Sequence, residues 1–96
     1  MELKHKDNSE KGVFKLKDGE YTAGEISYVW SNDDLILIDH TGVNSRYEGK
    51  GIGKQLVGAV VNFARRRNIK ILPLCPFAKR LFDRNESYND VRFIRQ

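Results

Sequence analysis

The spacing of apolar residues changes part-way along the chain, and the change separates two kinds of structure. Up to residue 38 the apolar positions recur at short, strand-like intervals. Val13, Phe14 and Leu16 predict a strand that ends at Asp18-Gly19, a two-residue hairpin signal. From Glu20 to Trp30 the pattern alternates loosely, with Tyr21, Ala23, Ile26, Tyr28 and Trp30 as its apolar or aromatic set. Gly24 within it predicts a bulge or bend. Ser31-Asn32-Asp33-Asp34 is a second turn. Leu35-Ile36-Leu37-Ile38 is an unbroken apolar run, the pattern of a central strand buried on both faces. The opening MELKHKDNSEK has little to bury beyond Leu3, which predicts a short edge strand at 2–6 and then a polar loop. The first half is therefore expected to be an antiparallel meander.

Past residue 51 the period lengthens. Ile52, Leu56, Val57, Val60, Phe63 and Ala64 fall close to i, i+4, i+8, which predicts an amphipathic helix. Arg65-Arg66-Arg67 lie in its last turn, where cations complement the helix dipole, and Asn68 suits the cap. Gly58 is costly inside a helix, and a close approach to the sheet is the expected reason for it. Ile69–Leu74 reads as a strand with Pro73 near its end. Strand, helix and strand make a right-handed crossover, so 35–40 and 69–74 should lie parallel and adjacent. Pro76 is placed for a first helical position with Cys75 as N-cap, opening a short helix over 76–84. Residues 88–93 are expected to be a last extended piece or a docked tail. The expected fold class is α/β (α+β), with residues 1–96 as one domain.

Between the two halves lies Gly42-Val43-Asn44-Ser45-Arg46-Tyr47-Glu48-Gly49-Lys50-Gly51-Ile52-Gly53-Lys54. Its glycines leave the backbone bare where a loop becomes a helix. The first helical N–H groups lack intrahelical partners and carry partial positive charge, so this stretch is an anion-site candidate, most often for phosphate. A glycine-rich turn without a ligand is the plain alternative. A Walker loop is excluded because Gly53-Lys54 is followed by Gln55 rather than Ser or Thr. A dinucleotide fingerprint is excluded because its third glycine would fall on Lys54 or Leu56, and Ile-Lys-Ile-Leu occupies the place of its acidic residue.

HTGVNSRYEGKGIGKQLVGAVVNFARRR resembles the acetyl-CoA loop and helix of the GNAT superfamily of N-acetyltransferases. The family loop R/Q-x-x-G-x-G/A falls on Glu48-Gly49-Lys50-Gly51-Ile52-Gly53. The pair His40-Thr41-Gly42-Val43 and Cys75-Pro76-Phe77-Ala78-Lys79 is similar to the small, single-domain, acetyl-CoA-binding GNAT-like subfamily (YjdJ-type). The resemblance covers roughly residues 35 to 92. It implies a compact GNAT-like fold, acetyl-CoA as cosubstrate and no metal. The cofactor contacts it implies are Val43, Arg46, Glu48, Gly49, Lys50, Gly51, Ile52, Gly53, Lys54, Cys75, Phe77 and Lys79. A bulky residue at Gly51 or Gly53 is then expected to abolish binding and leave the fold largely intact.

This chain departs from the larger members of that family. Their N-x-x-A-x-x-x-Y motif corresponds to Cys75 through Phe82, and phenylalanine has no proton for the leaving thiolate. Glu48 stands where Gln or Arg is usual, and its carboxylate would repel a pyrophosphate unless Arg46, Lys50 or Lys54 offsets it. The family's N-terminal helices and C-terminal strands have no counterpart here, so an acceptor cleft would be open.

Cys75 and His40 are the candidate catalytic side chains, since both lie at the carboxyl edge of the predicted parallel strands. A thiol at a helix N-terminus is shifted toward thiolate, and an imidazole there is placed as a general base for an amine or for Cys75. The alternatives are a packed cysteine and a histidine satisfied by backbone. His5, in a polar segment, is assigned no role.

Composition narrows these readings. One cysteine excludes an internal disulfide and suggests a cytoplasmic protein. No apolar run approaches a membrane span, and the N-terminus lacks a signal-peptide core. The net charge of +4 suits a polyanionic cofactor and is too small to diagnose nucleic-acid binding. Two readings stay open: an acetyltransferase passing acetyl to a small-molecule or protein amine, directly or through Cys75, and a non-catalytic acetyl-CoA-binding or sensing module. A basic nucleic-acid-binding domain is a weaker third.

Overall fold

The computed structural model describes residues 1–94. Four strands come first: β1 (Glu2–Asp7), β2 (Lys11–Asp18), β3 (Tyr21–Asn32) and β4 (Leu35–Val43). A 3₁₀ turn over Ser45–Tyr47 leads to α1 (Ile52–Arg67), then come β5 (Lys70–Pro73), α2 (Pro76–Arg84) and a second 3₁₀ turn over Glu86–Tyr88. The strands form one sheet in the order β1-β2-β3-β4-β5. The first four are antiparallel, and β5 joins β4 in parallel through the α1 crossover. The expected tail docks on β5, where Ile71 N–H donates to Val91 O and Phe93 N–H donates to Ile71 O.

One face of the sheet meets α1. Phe14, Ile26, Tyr28, Ile36, Ile38 and Ile71 from the strands close with Leu56, Val57, Val60 and Phe63 into a single core. Each fully buried side chain of this size contributes roughly 1.5–3 kcal/mol relative to exposure. The other face is more open. Leu35 and Leu37 are only half-buried, so the expected burial of that run on both faces is met on one.

Three local expectations shift. The hairpin turn is Gly19-Glu20, one residue later than Asp18-Gly19, because Asp18 still pairs with Tyr21. The bulge expected at Gly24 falls on its neighbour: Leu16 pairs with Gly24 and Lys17 with Thr22, so Ala23 is the extra residue. That insertion is why the alternation of β3 looked loose. Gly24 is instead a close-approach position, since a Cβ there would stand 2.8 Å from both Gly42 O and Ile52 Cγ2. Gly58, for which close approach was expected, faces open space.

His5 also gains a place. Its ring stacks on Phe14 at 3.9 Å between centroids, and Nε2 lies 2.7 Å from Tyr28 Oη. Asp7 accepts hydrogen bonds from the Tyr28 hydroxyl and from Trp30 Nε1. This network closes the sheet over the far end of α1.

Candidate functional site

The loop into α1 has the backbone that its glycines predicted. Gly49 and Gly51 have φ of 77° and 74°, a left-handed conformation that costs other residues roughly 1–2 kcal/mol. Gly51 is the N-cap of α1 and caps it with no side chain, and the first turn holds no acidic residue. Gln55 N–H, donating to Gly51 O at 3.1 Å, makes the first bond of the helix. Among the described residues, the main-chain amides of Gly49 and of 51–54 make no hydrogen bond to a protein acceptor. Gly49, Gly51, Ile52, Gly53 and Lys54 line a cavity of about 320 Å³ between the start of α1 and one side of α2. Unpaired amides at the positive end of a helix dipole are a site for an anion.

A second feature lies beside the first. The β4–β5 pairing ends at Ile38 and Pro73, and Ile38 O accepts from both Leu74 N–H and Cys75 N–H at 3.0 and 3.1 Å. β4 continues to Val43 without β5. A bulge at Asp39, where Ser27 pairs with His40 and Tyr28 with Ile38, inverts the alternation of β4. Asn44 N–H donates to Ala23 O, so by alternation the main-chain groups of Thr41 and Val43 point away from β3 into the gap. The sheet thus parts where the crossover begins.

Cys75 sits at the point of parting. It is 8% exposed, is the N-cap of α2, and its Sγ accepts from Ala78 N–H at 3.4 Å. Thr41 Oγ1 lies 3.2 Å from the same sulfur. His40 is not with them. It pairs with Ser27, whereas Thr41 pairs with Ile26, so the pleat sends the two side chains to opposite faces of the sheet. Its Nε2 instead lies over Gly42, 3.1 Å from where a Cβ would be. The expectation that His40 serves as base for Cys75 therefore fails on geometry.

Of the cofactor contacts expected from sequence, Val43, Glu48, Gly49, Gly51, Ile52, Gly53, Lys54 and Phe77 line the cavity. The other four face elsewhere. Arg46 stacks over Tyr21 and Lys50 over Tyr47, Lys79 pairs with Asp83, and Cys75 belongs to the parting of the strands. Gly53 has a second duty, because a Cβ there would stand 2.4 Å from the Phe77 ring. A bulky residue at 53 would thus have to push the Phe77 ring aside. Tyr47, Leu81 and Arg84 line the cavity and were missed. Phe77, Leu81 and Arg84 are spaced i, i+4, i+7, so the α2 pattern carried the signal for the last two. Tyr47 donates to Asp18 Oδ2 at 2.7 Å, and that bond raises its hydroxyl pKa above the ordinary tyrosine value. Against Glu48, the cavity sets the cations Lys54 and Arg84, neither of which is in an ion pair among the described residues.

A family model described as GCN5-related N-acetyl-transferase matches residues 13–91. The chain belongs to that family. A GCN5-like protein from Staphylococcus aureus, described as a candidate N-acetyltransferase, is 38% identical with a TM-score of 0.77, over 99% of this chain and 90% of that one. A GNAT family acetyltransferase from Elizabethkingia anophelis with acetyl-CoA bound shares the fold, at 15% identity and a TM-score of 0.63, over 77% of this chain and 51% of that one. So does a ribosomal-protein-alanine N-acetyltransferase from Brucella melitensis biovar Abortus, at 18% identity and a TM-score of 0.63, over 77% and 60% of the two chains. No curated protein sequence matches the chain.

GCN5-related N-acetyltransferases move acetyl from acetyl-CoA to an acceptor. The mixed five-stranded sheet with two helices is their fold. Among the described residues, no group of three or more His, Cys, Asp or Glu side chains is placed to hold a metal, and no helix is long and apolar enough to cross a membrane. Phe82, at the position of the usual tyrosine, is 1% exposed and packs on Tyr88.

Proposed function

We propose that this GCN5-related protein binds acetyl-CoA across the loop and the parted strands and passes its acetyl group to an amine. The single observation that carries the reading is the set of unpaired amides of Gly49 and 51–54, residues that line a cavity together with Arg84. Such a cradle fits a pyrophosphate, and Arg84 adds a guanidinium suited to phosphate oxygens. The main-chain groups of Thr41 and Val43 are available to the amides of the pantetheine arm. Acetyl-CoA supplies an activated acyl thioester when bound.

Two routes start from the same place and use different faces of the sheet. On the α1 side, the Cys75 thiol has Thr41 and the Ala78 N–H around its sulfur. Its thiolate would attack the acetyl carbonyl, the CoA thiolate would leave, and an amine would later take the acetyl from Cys75. On the open side, His40 is exposed and would take the proton of an amine that attacks the thioester directly. Phe82 favours a second reading, a module that binds acetyl-CoA without turnover, because no acid replaces the tyrosine there.

The test is titration with acetyl-CoA followed by mass spectrometry and an amine-acetylation assay on wild type, Cys75→Ala and His40→Gln. A single acetyl adduct on Cys75, and loss of turnover with retained affinity in Cys75→Ala, is the expected result for the covalent route. Turnover lost only in His40→Gln assigns direct transfer. Binding by all three without turnover of any amine establishes the module, and no binding by the wild type overturns the cofactor reading.

A further inference from the structure

The segment before the glycines is held from outside, by the tip of the β2–β3 hairpin. Asn44 N–H donates to Ala23 O at 2.8 Å, and Asn44 Nδ2 donates to Thr22 O at 3.3 Å. The Arg46 guanidinium lies 4.5 Å above the centre of the Tyr21 ring. The Tyr47 hydroxyl donates to Asp18 Oδ2 at 2.7 Å. Tyr47 is buried and lines the cavity that the loop amides face, whereas Asp18 is exposed and does not line it.

These contacts divide the loop. Residues 44–47 are fixed by the hairpin and residues from 52 onward by α1, so 48–51 alone must find their conformation, two of them glycines at positive φ. Glycines are the residues that lose most freedom on ordering. When that loss is met in the free protein, it no longer subtracts from ligand affinity.

We propose that Asp18 and Tyr47 form a latch through which the β2–β3 hairpin positions the anion-binding amides of residues 49–54. The proposal rests on the acetyl-CoA reading, with Asp18 as a positioning residue that acts through Tyr47. The hydrogen bond, rather than the charge of Asp18, holds the loop.

Three variants test it. Tyr47→Phe keeps the ring and removes the donor, Asp18→Ala removes the acceptor, and Asp18→Asn keeps an acceptor oxygen without the charge. Each is measured by calorimetric titration with acetyl-CoA, by amide hydrogen exchange and by thermal unfolding. Tyr47→Phe and Asp18→Ala should bind about 3- to 10-fold more weakly, the range for one lost hydrogen bond. Exchange at 48–51 should quicken in both while the sheet core stays protected. Asp18→Asn should bind within about twofold of the wild type, because the bond survives. Equal affinity in all four proteins overturns the latch, and so does an Asp18→Asn protein as weak as Asp18→Ala. If the wild type itself does not bind, the cofactor reading fails, and exchange at 48–51 then decides the latch: unchanged exchange in Tyr47→Phe overturns it.

Discussion

The two ends of α1 are built in opposite ways. At its N-terminus Gly51 caps with no side chain, no carboxylate stands in the first turn, and unpaired amides open on a cavity. At its C-terminus most features are closed. Asn68 adopts the left-handed cap and its N–H donates back to Ala64 O and Arg65 O. Arg65 is bidentate to Asp90, at 2.9 and 3.0 Å, and also donates to Ser87 O. Arg67 lies over both Trp30 and Phe63. The arginine run is thereby largely engaged at home, which weakens the nucleic-acid reading. One helix thus leaves amides at its positive end without protein acceptors and engages its own side chains at the other end.

The largest effect should come from the closed end. Phe63 is 4% exposed and meets the rings of His5, Phe14, Tyr28 and Trp30 at 4.8 to 6.3 Å between centroids. Phe63→Ala should cost about 3–5 kcal/mol by chemical denaturation, as buried aromatic truncations do. Acetyl-CoA affinity of the folded protein should stay within about twofold, a change below about 0.5 kcal/mol. A large loss of affinity in that variant would show that the two ends are coupled.

At the open end the ordering of effects reverses. Gly51→Val places a β-branched residue at a φ of 74°, which should cost about 1–2 kcal/mol of stability or more. Binding should fall at least about tenfold, since the amides lose their alignment. Gly53→Val differs, because its side chain strikes the Phe77 ring, which must move aside. Calorimetry beside thermal unfolding separates the two. Unchanged binding by a folded Gly51→Val protein would reduce the loop to a turn.

The smallest effect is a pH dependence at the closed end. Burial lowers the His5 pKa, Arg66 and Arg67 lower it further, and Asp7 only partly opposes them. Burial acts to raise the Asp7 carboxyl, yet hydrogen bonds from Tyr28, Ser9 N–H and Trp30 bring it below its ordinary value. For His5 the unfolded chain takes up a proton at a higher pH than the folded one. Stability from this group is therefore complete above about pH 6.5 and is lost as pH falls through the depressed folded value. Denaturation between pH 7.5 and pH 5 should show this slope, and His5→Gln should flatten it. A slope unchanged in the variant would remove His5 as its source.

Local patterning was a good guide to both ends of the helix and a poor one to what meets them. The spacing of Ile52, Leu56, Val60 and Phe63 predicted α1, Asn68 predicted its cap, and the Cys75-Pro76 pair predicted the cap of α2. Gly49 and Gly51 pointed to a special backbone, because positive φ is a property of a single residue and its neighbours. His5 was given no role, since nothing within several residues of it announces Phe14, Tyr28 or Phe63. Arg84 was passed over because only the packing of α2 on α1 turns its face toward the cavity.

What the sequence alone determined is the part written within one helical turn or one strand repeat: the meander, the crossover, the two helices and the bare loop between them. The tertiary structure decided which side chains meet. One extra residue at Asp39 inverts the alternation of β4, and the pleat then puts Thr41 beside Cys75 and His40 on the other face. The helix packing assigned close approach to Gly24 and Gly53 rather than Gly58. The hairpin tip reached across to Tyr47 from 29 positions away. Such choices depend on register and bulges, which are settled by packing summed over the whole sheet, and a one-residue shift in either reverses every face.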